Sequence, residues 1–151
     1  MGVELIPEID LSQVLQNLVV LASAFVLALP IGWNRERSER NFGFRTFPLV
    51  AMASAAFVLL GPELSTSANG YSRILQGLMT GVGFLGGGAI VKSGTEVRGL
   101  STAASVWATA ALGAAVATRH YEIAIVISAT TFAVLTWLKP FARHVDTEVD
   151  D

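Results

Sequence analysis

A bundle of five transmembrane helices, all-α and with almost no soluble portion, is the fold this sequence predicts. Three observations carry the prediction. Hydrophobic residues make up 52% of the 151 residues and charged ones only 15%, against about 25% charged in an ordinary soluble domain. The charges are also clustered, leaving long stretches with none, where a soluble helix would show a polar face. The basic residues, finally, fall on alternate sides of those stretches.

A helix needs about 20 mainly apolar residues, within a range of about 17–25, to cross a bilayer. Residues 14–32 form the first such stretch, 46–61 a short second, 74–91 an uncharged third, 102–118 an alanine-rich fourth with Val106, Trp107 and Leu112, and 122–138 the last, ending before Lys139-Pro140. Alanine is only mildly apolar, so without the fourth the count would be four. The loops decide for five. On one side they hold Arg35, Arg37, Arg40, Arg45, Lys92, Arg98, Lys139 and Arg143, and on the other only Arg73 and Arg119, eight against two. Basic loops stay in the cytoplasm. The N-terminus is therefore expected outside and the C-terminus inside, with residues 1–13 an extracytoplasmic segment and 139–151 an acidic cytoplasmic tail.

Local signals mark the ends. Short connections make neighbouring helices antiparallel. Gly61-Pro62, Asn69-Gly70, Gly94 and Gly99 are expected in turns. Thr46 reads as an N-cap with Pro48 in the first turn, and Ser101 or Thr102 as the cap of the fourth helix. Gly43-Phe44-Arg45-Thr46 and Gly99-Leu100-Ser101-Thr102 open the second and fourth helices alike, but four positions do not define a repeat. The N-terminus carries Glu4, Glu8 and Asp10 without Lys or Arg. It lacks the basic region of a secretory signal, so the first apolar stretch is expected to remain in the mature protein.

The chemistry-bearing motifs are few. There is no cysteine, which excludes disulfides and thiolate chemistry. No nucleophile–base pair is visible, His120 and His144 have no partner at ligand spacing, and a net charge of −2 gives no reason to expect nucleic acid. No catalytic residue, metal site or cofactor is assigned. Gly81-Val82-Gly83-Phe84-Leu85-Gly86 has the spacing G-x-G-x-x-G, but it lies inside an apolar span rather than after a strand, so it is not a nucleotide site. Gly77 and Gly81, and Gly83 and Gly87, are four apart, the spacing at which helices approach closely in lipid. This places the third and fourth helices at the tight centre of the bundle. Gly86-Gly87-Gly88 reads as a very close crossing or, failing that, as an unwound segment lining a cavity. No ionisable residue falls in the middle of a span, which argues against a proton-coupled transporter but leaves a pore lined by carbonyls or hydroxyls open.

The densest polar element is Asn34-Arg35-Glu36-Arg37-Ser38-Glu39-Arg40-Asn41. Any inner loop wants arginine, so a topology anchor explains much of it. The second and fourth helices both start on the cytoplasmic face, at Thr46 and at Ser101-Thr102, with Arg45 and Arg98 beside them. Helix N-termini carry unpaired N–H groups and partial positive charge. If the two ends are close they form an anion site, whose simplest occupant is the protein's own Glu36 or Glu39.

Four blocks together resemble a known family: Gly32-Trp33-Asn34-Arg35-Glu36-Arg37; Gly43-Phe44-Arg45-Thr46 with Leu49-Val50; Gly81 to Gly88; and Val97-Arg98-Gly99-Leu100-Ser101-Thr102-Ala103-Ala104-Ser105-Val106-Trp107-Ala108. The sequence is similar to the MgtC/SapB family of bacterial inner-membrane proteins from about Gly32 to Trp107, and more weakly to Leu138. It departs at Asn34, where the family's first block has an acid, at Gly87, where alanine is usual, and at Ser101, where threonine is usual. MgtC-type members carry a C-terminal domain of ACT-like fold, whereas this chain looks like the short SapB-type branch.

The resemblance implies a five-helix, multi-pass inner-membrane protein of a family linked to survival in low Mg²⁺ and inside macrophages. Such proteins act by contacting other membrane machines, the proton-translocating ATP synthase among them. Two functions are therefore expected. The first is a non-enzymatic regulator whose cytoplasmic face carries Glu36, Arg37, Arg45, Thr46, Arg98, Ser101 and Thr102, and whose partner is a second copy or another membrane protein. The second is a small homo-oligomeric ion transporter or channel. Gly77, Gly81, Gly83, Gly86, Gly87 and Gly88 are the candidate packing or pathway residues. Arg45→Ala and Arg98→Ala, assayed for localisation and function, should each impair the protein if the helix ends hold an anion; wild-type behaviour of both would remove that idea.

Overall fold

The computed structural model describes residues 9–38, 43–64 and 68–138. The expected segment 1–8, the loop residues Glu39 to Asn41 and the acidic tail 139–151 lie outside the described residues. Five helices appear in chain order: α1 Leu11–Ser38, α2 Thr46–Leu64, α3 Ala68–Gly88, α4 Leu100–Ala117 and α5 Tyr121–Trp137. Between α3 and α4 lies a two-stranded antiparallel hairpin, β1 Val91–Ser93 and β2 Glu96–Arg98.

The helix ends differ from the sequence expectation for physical reasons. Asp10 caps α1, its carboxylate accepting the backbone N–H of Ser12 at 2.8 Å, which starts the helix at Leu11 rather than at residue 14. Hydrogen bonding from the Ser12 side chain, and then from its backbone N–H, holds the Asp10 carboxyl below its ordinary value. At the other end α1 runs to Ser38, so Asn34 to Arg37 are helical and not loop. Asn69-Gly70, expected in a turn, forms the first turn of α3. Gly61 and Pro62 lie within the last turn of α2 rather than after it. Ser101 and Thr102 do not cap α4. Its N-cap is Gly99, with φ of 89° and no side-chain cap. Any Cβ there would run into the carbonyl of Ala89, so glycine is required both by backbone angle and by contact.

The hairpin was not expected at all, the third span having been drawn to residue 91. Its register pairs Val91 with Arg98, Lys92 with Val97 and Ser93 with Glu96. The two-residue loop is Gly94-Thr95, with Gly94 at φ 62°. Glycine at the first loop position is what a type II′ hairpin turn needs. The α4–α5 turn uses a different device. Arg119 takes φ 64°, while His120 N–H reaches the Ala115 carbonyl at 2.9 Å and Arg119 N–H the Val116 carbonyl at 3.0 Å. That pattern is a Schellman ending, with arginine where glycine is usual.

The packing is inverted relative to a soluble protein. Large apolar side chains face outward, including Leu18, Val26, Leu49, Phe57 and Val126, with Phe84 83% exposed. The interior is mostly small: Ala24, Ala28, Ala51, Ala55, Ala110, Ala124, Ser54, Ser105 and Thr109. Such an apolar exterior suits lipid. By length and composition α1 and α4 can each cross a bilayer, while the apolar parts of α2 and α5, Thr46–Pro62 and Tyr121–Trp137, fall at the short end of the spanning range.

The centre is α4, which touches each of the other four helices. Its tightest approach is to α2, where a Cβ on Gly113 would collide with the carbonyl oxygen of Ala51. This corrects the expectation that α3 and α4 form the tight pair through α3's glycines. Only Gly86 meets a neighbour, the backbone and Cβ of Ala103, whereas added Cβ atoms at Gly77, Gly81, Gly83, Gly87 and Gly88 would find nothing within 4 Å. Nor do the three consecutive glycines form an unwound segment inside a span; they are the last turn of α3.

Two polar contacts tie α5 to α1. Ser128 Oγ donates to the Leu27 carbonyl at 2.7 Å, next to Val26, whose carbonyl loses its helical donor to Pro30. Asn34 Nδ2 donates to Thr136 Oγ1 at 2.9 Å. Within α4, Ser105 Oγ and Thr109 Oγ1 bond back to the carbonyls of Ser101 and Ser105 at 2.6 and 2.8 Å. Both buried hydroxyls are thereby satisfied inside their own helix.

Two substitutions separate the glycines. Gly113→Leu should destabilise the protein by about 3 kcal/mol through overpacking. Gly77→Ala should leave it unchanged or stabilise it by up to about 1 kcal/mol through helix propensity. Melting in detergent checks both.

Candidate functional site

Four of the seven expected working residues, Glu36, Arg37, Arg45 and Thr46, lie at the joint between α1 and α2. α1 ends at Ser38, and Gly43 to Arg45 lead into α2. There Glu36, on the last turn of α1, accepts the backbone N–H of Phe44 at 3.0 Å through Oε2. Phe44 lies two residues before α2, where N–H groups have no helical partner. The carboxylate is therefore placed against the positive end of the α2 dipole, as an internal anion. Gly43 makes room for it, since a Cβ there would overlap Glu36. Gly32 lies under the same turn, where an added Cβ would stand 3.3 Å from the Gly43 carbonyl oxygen.

An aromatic and cationic layer covers this latch. The ring of Trp33 meets Phe44 edge-on at 5.9 Å, and the Arg37 guanidinium lies over Trp33 at 4.9 Å. Arg35 is 5% exposed, and its Nη2 donates to Asn34 Oδ1 at 3.1 Å. Asn34 thus joins Arg35 to Thr136 of α5. An amide can do both because it offers a donor and an acceptor, whereas a carboxylate only accepts.

The other expected residues are less closely gathered. Arg45 is exposed and Thr46, half-buried, is the first helical residue of α2. Thr102 is fully buried and Ser101 exposed. Arg98 stands on the hairpin, where its Nε donates to Glu96 at 2.8 Å; the carboxylate raises its already high pKa. Sequence reasoning did not single out Trp33, Gly43 or Thr136 as site residues. The signal available for the first two was their position within the first two blocks of the resemblance; nothing local marks Thr136.

Among the described residues no group of three or more His, Asp or Glu could hold a metal ion. The arrangement holds two helix ends together and presents charge. Glu36→Ala should lower stability by about 1 kcal/mol through the lost hydrogen bond. Gly43→Val should cost about 2 kcal/mol by displacing the carboxylate. Melting curves of the two variants and their double mutant test whether they act on one latch, since the double should cost little more than Gly43→Val alone.

The sequence profile of the MgtC family matches residues 21–144. The chain is 39% identical to Protein SrpB of Synechococcus elongatus over 136 residues, covering 82% of this chain and 73% of that protein. It is 37% identical to Protein MgtC of Brucella abortus over 126 residues, covering 83% and 52%. To Protein MgtC of Salmonella typhimurium it is 32% identical over 126 residues, covering 83% and 54%. The chain spans about half the length of these two MgtC proteins. No solved structure matches it.

Proposed function

The chain belongs to the MgtC family, and from that premise we propose that it is a non-enzymatic protein of the bacterial inner membrane that crosses the bilayer five times and binds and regulates other membrane proteins under stress or Mg²⁺ limitation. The observation that carries this reading is where the polar chemistry lies. Among the described residues, every ionisable side chain sits in a connection or in the first or last turns of a helix, and none at mid-helix. A carrier that couples to protons or cations is expected to hold such groups at mid-membrane. Here they are collected at the ends, above all at the joint of Glu36, Arg37 and Arg45 and on the hairpin of Lys92 and Arg98. This is the distribution of a protein that presents a face.

The eight-to-two distribution of basic residues supports a cytoplasmic location for that face. Gly77, Gly81, Gly83, Gly87 and Gly88, where an added Cβ would meet nothing within 4 Å among the described residues, support contact with a second copy or another membrane protein. The ATP synthase is one such partner, by family likeness. A second reading, a small homo-oligomeric transporter or channel, draws on the same open glycine face, with Gly86 to Gly88 near the pathway.

Because the chain lacks cysteine, single-cysteine variants report topology directly. Ser93→Cys should react with an impermeant thiol reagent only from the cytoplasmic side and Glu122→Cys only from the outside; reaction of both from one side would refute the five-span arrangement. In native membranes, cross-linking should capture a partner or a second copy, and capture of neither defeats the regulator reading. Protein-dependent flux of Mg²⁺, K⁺ or H⁺ in proteoliposomes, lost in Gly87→Leu, would put the transporter first.

A further inference from the structure

The turn between α4 and α5 holds an arginine in a backbone conformation that does not suit it. Arg119 takes φ 64° and is, among the described residues, the one non-glycine at positive φ; the other two such positions are Gly94 and Gly99. Glycine would close the same Schellman ending without strain. A strained residue of this kind points to a use for its side chain.

The guanidinium is not spent within the chain. Among the described residues the ion pairs are Arg98 with Glu96 and His120 with Glu122. Glu122, the acid nearest to Arg119 in sequence, thus turns to His120 at 3.1 Å, and the Asp10 carboxylate takes the N–H of Ser12. Arg119 instead lines a groove of about 250 Å³ between the early turns of α1 and the start of α5. Leu15, Val19 and Val20 are its apolar wall, and Gln16 and Tyr121 join Arg119 as its polar lining. No side-chain hydrogen bond among the described residues engages any of these three polar groups.

Position gives the groove its level. α4 ends at Ala117 and α5 starts at Tyr121, so Arg119 and Tyr121 stand at an end of the bundle, where spanning helices meet headgroups. From there Leu15 to Val20 carry the wall along α1 for about 8 Å at 1.5 Å per residue. A tyrosine at such a boundary keeps its ring in apolar surroundings and its hydroxyl at the wet end. The planar donors of arginine match the oxygens of a phosphate, and a phenol hydroxyl and an amide add further donors.

We propose that this groove is a site for an anionic phospholipid. Arg119 holds the phosphate, Tyr121 and Gln16 donate to headgroup oxygens, and the first part of an acyl chain lies on Leu15, Val19 and Val20. A cation with no acid paired to it selects a lipid of net negative charge, because a zwitterionic headgroup brings a cation of its own. The apolar wall selects a lipid over free phosphate. The strain at Arg119 is then stability given up for a binding cation. The inference rests on the membrane-spanning reading above but not on which side the turn faces, so a reversed topology in the cysteine-labelling experiment would leave it standing.

The test is thermal melting of the purified, delipidated full chain in detergent, titrated with phosphatidylglycerol, phosphatidylcholine or inorganic phosphate. Phosphatidylglycerol should raise the melting temperature at lower concentration than phosphatidylcholine, and phosphate alone should not raise it. Arg119→Gly should separate stability from binding. Without lipid it should melt above wild type, because glycine relieves the positive φ, while its phosphatidylglycerol midpoint moves up about fivefold. Arg119→Gln keeps the strain and should show the same loss of response with no gain in melting temperature. Arg119→Lys keeps the charge and should leave phosphatidylglycerol ahead of phosphatidylcholine. The proposal is overturned if the glycine and glutamine variants respond to phosphatidylglycerol as wild type does, if the two lipids act equally on wild type, or if phosphate alone reproduces the shift. It is equally overturned if Arg119→Gly abolishes a cross-link to another protein in native membranes while the lipid response stays intact, which would assign the arginine to a protein partner.

Discussion

At the crossing of α2 and α4 the backbone of Gly113 lies directly against the carbonyl of Ala51, and the spacing of the bundle follows from that contact. Lipid is as apolar as any leucine, so burying large side chains gains little between helices that already sit in it. What remains is dispersion over closely matched surfaces, and that demands small residues at the crossings. The interior of this protein accordingly mixes many small residues, alanine above all, with a few large ones such as Phe47, Ile31 and Leu112, while many leucines, valines and phenylalanines are turned outward. The buried hydroxyls do not disturb the arrangement, because Ser105 and Thr109 return their hydrogen bonds to their own helix. With its small faces, α4 can lie against all four partners at once.

Around that centre, α1 acts as the strut to which the ends of the chain are fastened. Ser128 and Thr136 hold α5 to it at two levels, and Glu36 holds the start of α2. The fastenings at the C-terminal end of α1 all involve Asn34, Arg35, Glu36 or Arg37, four consecutive residues pointing in different directions from the last turns of one helix. The same four residues therefore form the structural clasp, with Arg35 buried and Glu36 and Arg37 left exposed. By contrast α3 buries only Val82 and Gly86 of its last two turns and middle within the bundle, and it is joined to α4 through the exposed hairpin.

The number, order and approximate position of the helices were legible in the sequence because each is a long apolar stretch bounded by charge. Their ends were not, because a helix end is fixed by capping contacts that apolar periodicity does not report. Asp10, an acid just before an apolar run, was a readable cap that the charge clustering hid. The turn at Gly94-Thr95, with Val91 and Val97 flanking it, was a readable hairpin signal inside what passed for a loop. The glycine spacing on α3 was a correct sign of a small-residue face, but spacing alone does not say whether the neighbour belongs to the same chain. Gly113 went unmarked because it stands among alanines, where one more small residue carries no contrast. At the candidate site, Glu36 was legible as an internal anion for a helix end; the contact from Asn34 to Thr136, 102 positions apart, was not.

The unequal lengths of the helices bear on the membrane itself. At 1.5 Å per residue the 28 residues of α1 reach about 42 Å, whereas the 17 of α5 reach about 26 Å. With both across a hydrocarbon layer about 30 Å thick, α1 has length to spare and α5 falls short by nearly a turn. In the five-span arrangement the bilayer would thin beside α5 and beside the equally short apolar part of α2, and relax to its ordinary depth around α1. Such a protein would impose a lopsided dimple on its surroundings. Neighbours whose own spans are short would lose less energy beside α5 or α2 than beside α1, which gives the lipid a part in deciding from which direction another membrane protein approaches.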